Sequence, residues 1–113
     1  MTLHSVLVLS DESSKRRSLR DALQPLFPRV MLASSMAEAA KCLASDHVQL
    51  AVLDYEDDDK ALRTLAQLRR HTPNLGAIVT CGQEDALTEV APHPIHKQAL
   101  HDAVQRLLAK IGR

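Results

Sequence analysis

Short apolar runs alternate with amphipathic segments along most of the chain. Four such runs occupy residues 5–10, 29–34, 49–54 and 76–80. Runs that are apolar at almost every position are typical of strands covered on both faces. The segments between them have leucines at helical spacing, for example Leu19, Leu23 and Leu26, which predict helices with one buried stripe. The pattern therefore predicts strands and helices in alternation.

The limits of several helices follow from local signals. Ser35 followed by Glu38 has the spacing of a capping box and predicts the start of the second helix. The third helix should stop before Pro73, and the last should run from about Ala99 to Ile111. A short amphipathic helix is expected at 83–91, and a fifth strand in the Pro- and His-rich stretch after it.

Alternation of strands and helices predicts an α/β fold with a parallel sheet, right-handed crossovers and helices on both faces. In such sheets ligands bind at the carboxyl ends of the strands. Asp11 follows the first strand, Asp54 ends the third and Thr80 ends the fourth. The topology is thus expected to bring these three polar residues to one edge of the sheet.

Length and composition narrow the classes of function. The 113 residues are expected to form one domain, 1–113, with a formal net charge of zero, which provides no general attraction to nucleic acid. One Tyr, one Phe and no Trp leave few rings on which bases could stack. Neither an apolar run of about 20 residues nor a signal peptide is present, so we expect no membrane span and a cytoplasmic location.

Five carboxylates lie within six residues after the third strand. They are Asp54, Glu56, Asp57, Asp58 and Asp59. Asp57, Asp58 and Asp59 are expected in a solvated segment that enters the next helix, where negative charge suits the helix N-terminus. Only one or two of the five are therefore expected to have a chemical role.

Two other groups of polar residues allow more than one interpretation. His93, His96 and His101 are spaced too loosely to predict a zinc site. The basic stretch Lys15–Arg17 is expected to be a solvated helix face or a docking surface for an acidic kinase or phosphotransfer protein.

Four segments in order resemble the receiver domain of two-component response regulators. They are VLVLSDE (6–12), LAVLD (50–54), AIVTCG (77–82) and IHK (95–97). The resemblance covers nearly the whole chain. It implies a flavodoxin-like, doubly wound parallel sheet of five strands in the order 2-1-3-4-5.

The resemblance also implies a role for particular residues. Asp54 would accept a phosphoryl group from a histidine kinase or a histidine phosphotransfer protein. Mg²⁺ would be bound by Asp11, Asp54 and the backbone carbonyl of Glu56. Thr80 and Lys97 would stabilise the phosphoryl group, with Ser10 and Glu12 as auxiliary residues. Such a set meets the needs of phosphoryl transfer, which are positioning and charge stabilisation.

The chain also departs from the receiver pattern. Ser10 replaces the first of two acids, so magnesium affinity should fall. The interval from Thr80 to Lys97 is short, which predicts a shortened or missing fourth helix. Gln98 follows Lys97 where receivers have proline, and Pro94 is aligned with the aromatic residue that normally relays the signal.

Three functions follow from these observations. The leading interpretation is a phosphoacceptor receiver domain, with a homodimer or a downstream effector as further partners. The alternative is a pseudo-receiver that acts as a phosphorylation-independent interaction or dimerisation module. A small nucleotide-binding enzyme is disfavoured, because the chain has only three glycines and no glycine-rich phosphate loop, so we expect no enzymatic activity.

Overall fold

The computed structural model describes residues 5–45 and 47–111. They form five strands and four helices. The strands are β1 (Ser5–Leu9), β2 (Arg29–Ala33), β3 (Val48–Leu53), β4 (Gly76–Val79) and β5 (Thr88–Val90). The helices are α1 (Ser13–Leu23), α2 (Met36–Ser45), α3 (Asp58–His71) and α4 (Lys97–Ile111).

All five strands are parallel neighbours in one sheet of order β2-β1-β3-β4-β5. This confirms the predicted fold and strand order. Every residue of β1 is buried, as expected of a central strand covered on both faces. Neighbouring residues of β1 point to opposite faces, and the core is accordingly divided into two clusters.

The two clusters pair different helices with the two faces of the sheet. Val6 and Val8 join side chains of α1 and α4 in one cluster. Leu7 and Leu9 join side chains of α2 and α3 in the other. Within the described ranges, no helix is long and apolar enough to cross a membrane.

The helix starts confirm two of the predicted signals. Asp57 is the N-cap of α3, where its side chain accepts a hydrogen bond from the Lys60 amide at 3.2 Å, and Asp58 and Asp59 form the first turn. These exposed acids therefore interact with the positive end of the helix, as expected. Ser35 caps α2 by accepting from the Glu38 amide at 3.2 Å.

The segment between β4 and β5 contains no helix, which confirms the prediction of a shortened or missing fourth helix. The prediction for residues 83–91 was wrong, however, because β5 lies inside that segment at Thr88–Val90. A strand of three residues is too short to show a periodicity, and its middle residue, Glu89, is a buried acid. The fifth strand therefore ends at Val90, just before the Pro- and His-rich stretch where we expected it.

Glu89 is compensated by two cations of α4. Its side chain is fully buried, Arg106 Nε donates to Oε1 at 2.6 Å, and the Lys110 ammonium donates to Oε2. Burial by itself would raise the pKa of Glu89, but the hydrogen bonds from Lys110 and Arg106 lower it overall. This ion triad ties the edge strand β5 to α4.

A second set of hydrogen bonds closes the outer side of β5. The Asp85 amide donates to the Thr88 carbonyl at 3.1 Å, and the Thr88 amide donates back to the Asp85 carbonyl at 3.3 Å. Arg69 of α3 reaches the same strand and donates to Thr88 Oγ1 at 3.0 Å. The short strand is thus held from both neighbouring helices and by its own turn.

The ion triad predicts an asymmetry between its partners. Replacing Arg106 and Lys110 together by Met leaves a buried, unpaired carboxylate and should lower the free energy of unfolding by about 3 kcal/mol. Glu89→Met should lower the free energy of unfolding much less, because both cations are half-exposed and their side chains can reorient towards solvent. Urea unfolding of the two variants measures the difference, and equal losses would contradict this account.

The lowered pKa of Glu89 predicts how stability depends on pH. A carboxyl whose pKa is lower in the folded state stabilises the fold above its unfolded pKa, and this contribution is lost as pH falls through the folded value. The unfolding free energy should therefore drop less steeply on acidification in Glu89→Met than in the wild-type chain. Denaturation curves below pH 4.5, the ordinary value for Glu, test this. Parallel pH profiles of the two proteins would show that Glu89 contributes nothing to the pH dependence of stability.

Candidate functional site

Three polar residues lie where β1, β3 and β4 end. Asp54 directly follows β3, is 1% exposed, and its amide donates to the Leu9 carbonyl at 3.0 Å. Ser10 follows β1 and is buried, and Thr80 follows β4 and is half-buried. The fold thus places them along the carboxyl edge of the sheet, where ligands bind in parallel sheets.

The Asp54 carboxylate is bonded through both oxygens to the segment after β5. His93 Nδ1 lies 2.5 Å from Oδ1, and the Ile95 amide donates to Oδ2 at 3.1 Å. The Asp54 side chain is fully buried, whereas the His93 side chain is 37% exposed. A carboxylate only accepts, so the hydrogen in the first contact comes from Nδ1 of the ring.

His93 lies three residues after β5 and contacts the Asp54 carboxylate, whereas Lys97 does not. Lys97 is the first residue of α4 and is exposed. Its side chain makes no hydrogen bond or ion pair within residues 5–45 and 47–111. In this structure the Asp54 carboxylate contacts His93 and not Lys97, so the role of Lys97 in stabilising a phosphoryl group stays a prediction.

Asp11 is bonded to a cation of its own chain. The Lys60 ammonium of α3 donates to Asp11 Oδ1 and lies 5.2 Å from the centre of the Tyr55 ring. The hydrogen bond to Asp11 raises the pKa of Lys60, while burial raises the pKa of Tyr55. Lys60 is therefore the resident positive charge on the Asp11 side of the site.

Ser10 and Glu12 take part in the start of α1. The Glu12 amide donates to Ser10 Oγ at 3.4 Å, and Arg16 Nη1 donates to the Ser10 carbonyl at 2.5 Å. Glu12 is the N-cap of α1, but its side chain forms no capping hydrogen bond. The first turn of α1 has no acidic residue and is not neutralised from within the helix.

Thr80 points to the backbone after β3. Its hydroxyl donates to the Tyr55 carbonyl at 3.2 Å. This bond ties the end of β4 to the segment that contains Asp54. Thr80 therefore lies beside the predicted site, but its hydroxyl contacts the backbone of Tyr55 and not the Asp54 carboxylate.

A small cavity opens beside Asp54. Its volume is about 50 Å³, enough for one or two water molecules. The lining residues are Ser10, Asp11, Glu12, Lys15, Asp54, Glu56 and His93. The structure thus brings together five of the seven predicted residues, adds Lys15 and His93, and leaves Thr80 and Lys97 outside the lining.

These donors do not fit a magnesium ion. Magnesium requires oxygen ligands in a near-octahedral arrangement. The two predicted carboxylate ligands are already engaged, because Asp11 is bonded to Lys60 and both oxygens of Asp54 accept bonds from the chain. Among the described residues, no three His, Cys, Asp or Glu side chains are arranged to hold a metal ion.

Neither a protein family profile nor a curated protein sequence matches this chain. Several solved structures, in contrast, match nearly the whole chain. A receiver domain protein from Clostridium thermocellum superimposes with a TM-score of 0.77 at 19% identity, over 97% of this chain and 98% of the other. A two-component response regulator from Clostridium difficile gives 0.77 at 14% identity over 100% of both chains. A LuxR family DNA-binding response regulator from Silicibacter pomeroyi gives 0.72 at 24% identity, over 95% and 92%.

The chain therefore has the fold of response-regulator receiver domains. At these low identities the superpositions establish the fold alone. The roles of individual residues must be inferred from the site itself. Sequence reasoning missed His93, Ile95 and Lys60 as partners of the two acids. The dipeptide His93–Pro94 was the signal that could have revealed the first of them, since it matches the lysine–proline pair of receivers with one residue changed.

The contacts of Asp54 predict that two substitutions lower the free energy of unfolding by very different amounts. Asp54→Ala removes the acceptor of the buried Ile95 amide and should lower the free energy of unfolding by about 1–3 kcal/mol. Lys97→Ala should change it by less than about 0.5 kcal/mol, because Lys97 is an exposed side chain. Urea unfolding checks both values. A larger loss for Lys97→Ala than for Asp54→Ala would reinstate Lys97 as the partner of the carboxylate.

Proposed function

We propose that this domain is a protein-interaction module of a signalling system, in which Asp54 is an internal structural carboxylate and is not phosphorylated. One observation carries the proposal. Both oxygens of the fully buried Asp54 side chain accept hydrogen bonds from the chain itself, at 2.5 Å from His93 and 3.1 Å from Ile95. A nucleophile in an in-line transfer needs a free oxygen facing the donor.

The substitutions around Asp54 support the same function. Transfer to a carboxylate needs positive charge for the developing phosphoryl charge. Ser10 removes one acid that would attract a cation, and His93 stands where receivers have lysine. The Lys60 ammonium is committed to Asp11. Two charges of the receiver pattern are thus absent, and the two acids that remain are bonded within the chain, which supports the proposal.

A second candidate function is the phosphoacceptor receiver suggested by the sequence. The cavity beside Asp54 favours it, because its lining includes the carboxylate itself and leads to the surface. In that case a histidine kinase or phosphotransfer protein would be the partner. The interaction module instead would bind a kinase, an effector or a second copy without a change at Asp54.

Back-substitution separates the two functions. We expect no change in the amide resonances of Asp54, Thr80 and His93 when Mg²⁺ and then beryllofluoride, a mimic of aspartyl phosphate, are added at millimolar concentration. The variant Ser10→Asp/His93→Lys restores the acid and the lysine of the receiver pattern. It should respond to the same additions, because it regains the missing charges. Proton–nitrogen correlation spectra report both.

The control is Asp54→Asn in the back-substituted background, which should abolish the response. A response of the wild-type chain that disappears in Asp54→Asn would overturn the proposal and establish the phosphoacceptor. Sedimentation with and without the additions gives a second readout, since the association state of an interaction module should be the same in both.

A further inference from the structure

An open cleft, here named the α2–α3 cleft, lies between the start of α2 and one face of α3. Its lining comes from Ser34 and Ser35, which follow β2, and from Lys60, Arg63 and Gln67, which recur at helical spacing on α3. Its volume is about 390 Å³, in the range of sites for small organic molecules. Among the described residues, none lines both this cleft and the small cavity at the end of β3.

The cleft is positively charged. Among the residues that the structure describes, its lining includes two cations, Lys60 and Arg63, and no carboxylate. Arg63 Nε donates to the Asp59 carbonyl at 3.3 Å, and its guanidinium forms no ion pair within residues 5–45 and 47–111. Lys60 donates to Asp11 through one of the three N–H groups of its ammonium. The other donors of both cations are available to a ligand.

One carboxylate next to the cleft limits where an anion can lie. Glu38 Oε1 accepts a hydrogen bond from the Ser34 amide at 2.9 Å and another from the Ser34 hydroxyl. These bonds lower the pKa of Glu38, so its carboxylate is charged at neutral pH. The repulsion acts at the Ser34 side of the cleft. The favourable position for an anion is therefore beside Arg63, on the α3 side.

The rest of the polar lining is neutral. The Gln67 amide is exposed and makes no hydrogen bond within the described parts of the chain. Thr64 and Tyr55 are buried beside it, and burial raises the pKa of Tyr55, so its hydroxyl stays neutral. Amides and hydroxyls both donate and accept hydrogen bonds. They are suited to ligand hydroxyl groups, which do the same.

We infer that the α2–α3 cleft binds a small organic phosphate whose other part carries hydroxyl groups, as in a sugar phosphate. The forked N–H groups of Arg63 match phosphate oxygens in paired hydrogen bonds. A phosphate monoester carries a charge of about −1.5 to −2 at pH 7, which balances two cations better than a single carboxylate does. The hydroxyl groups of the ligand then contact Gln67 and Thr64.

This site goes beyond the proposed function, which concerns Asp54, and adds an input to the interaction module. A phosphate in the cleft competes with Asp11 for the Lys60 ammonium. Asp11 lines the cavity at the carboxyl edge of the sheet. Occupancy of the cleft would therefore weaken the Lys60–Asp11 pair and change the charge presented at that edge.

The test is a titration of the full chain with glucose 6-phosphate, followed in proton–nitrogen correlation spectra. Saturable shifts are expected at the amides of Ser35, Lys60 and Gln67, with a Kd of about 1 mM or lower. Glucose lacks the anion and glutarate replaces it by two carboxylates, and each should bind about tenfold more weakly. Inorganic phosphate lacks the hydroxyl-bearing part and should bind about threefold more weakly.

Three variants locate the ligand on α3. Arg63→Met keeps the aliphatic stem but removes the forked donors, and should weaken binding about tenfold. Arg70→Met makes the same change at an exposed position of α3 outside the lining, and should leave the affinity unchanged. Gln67→Leu should weaken binding about threefold. All three side chains are exposed, so the variants should fold as the wild-type chain does.

Each outcome supports or overturns the inference. A titration that does not saturate at about ten times the expected Kd would overturn the site, as would equal losses of affinity in Arg63→Met and Arg70→Met. Glutarate or inorganic phosphate binding as tightly as glucose 6-phosphate would overturn the sugar phosphate as the ligand class. Preferential binding of glucose 6-phosphate that is weakened only by the cleft variants supports it. The response of Asp54 to beryllofluoride is measured separately, so failure of this site and failure of the proposed function are distinguishable.

Discussion

The burial of the Asp54 carboxylate is the constraint on which the site depends. A charged oxygen pair removed from water must find hydrogen-bond donors, and a parallel sheet edge provides few of them. The segment after β5 provides two, from His93 and Ile95. Ile95 is itself buried in the core cluster of α1 and α4. The position of the His93 ring is therefore coupled to the packing of that core.

The two acids at the carboxyl edge of the sheet are both compensated by residues of the same chain. Asp54 is satisfied by the segment after β5, while Asp11 is satisfied by Lys60 of α3. Both acids are therefore satisfied by donors of the chain itself, which come from two different elements on opposite sides of β3.

The sequence predicted the sheet well because burial on both faces leaves an unbroken apolar run, as in β1 and β3. It placed Asp54 correctly, since the residue ends such a run. It failed at β5, where three residues with a buried Glu89 have no apolar signature. With the strand misplaced, the sequence did not reveal His93 as the residue that contacts Asp54. Pairings such as Asp11 with Lys60 join residues far apart in the chain, and no local pattern encodes them.

The turn before β5 has a consequence for how the protein can assemble. An edge strand normally offers free main-chain groups on which another strand can add, which promotes aggregation. In β5 the amide and carbonyl of Thr88 that point away from β4 are both bonded to Asp85. Growth of the sheet by strand addition is thus blocked at that residue. At Thr88, a partner that approaches this edge must therefore recognise side chains and not free main-chain groups.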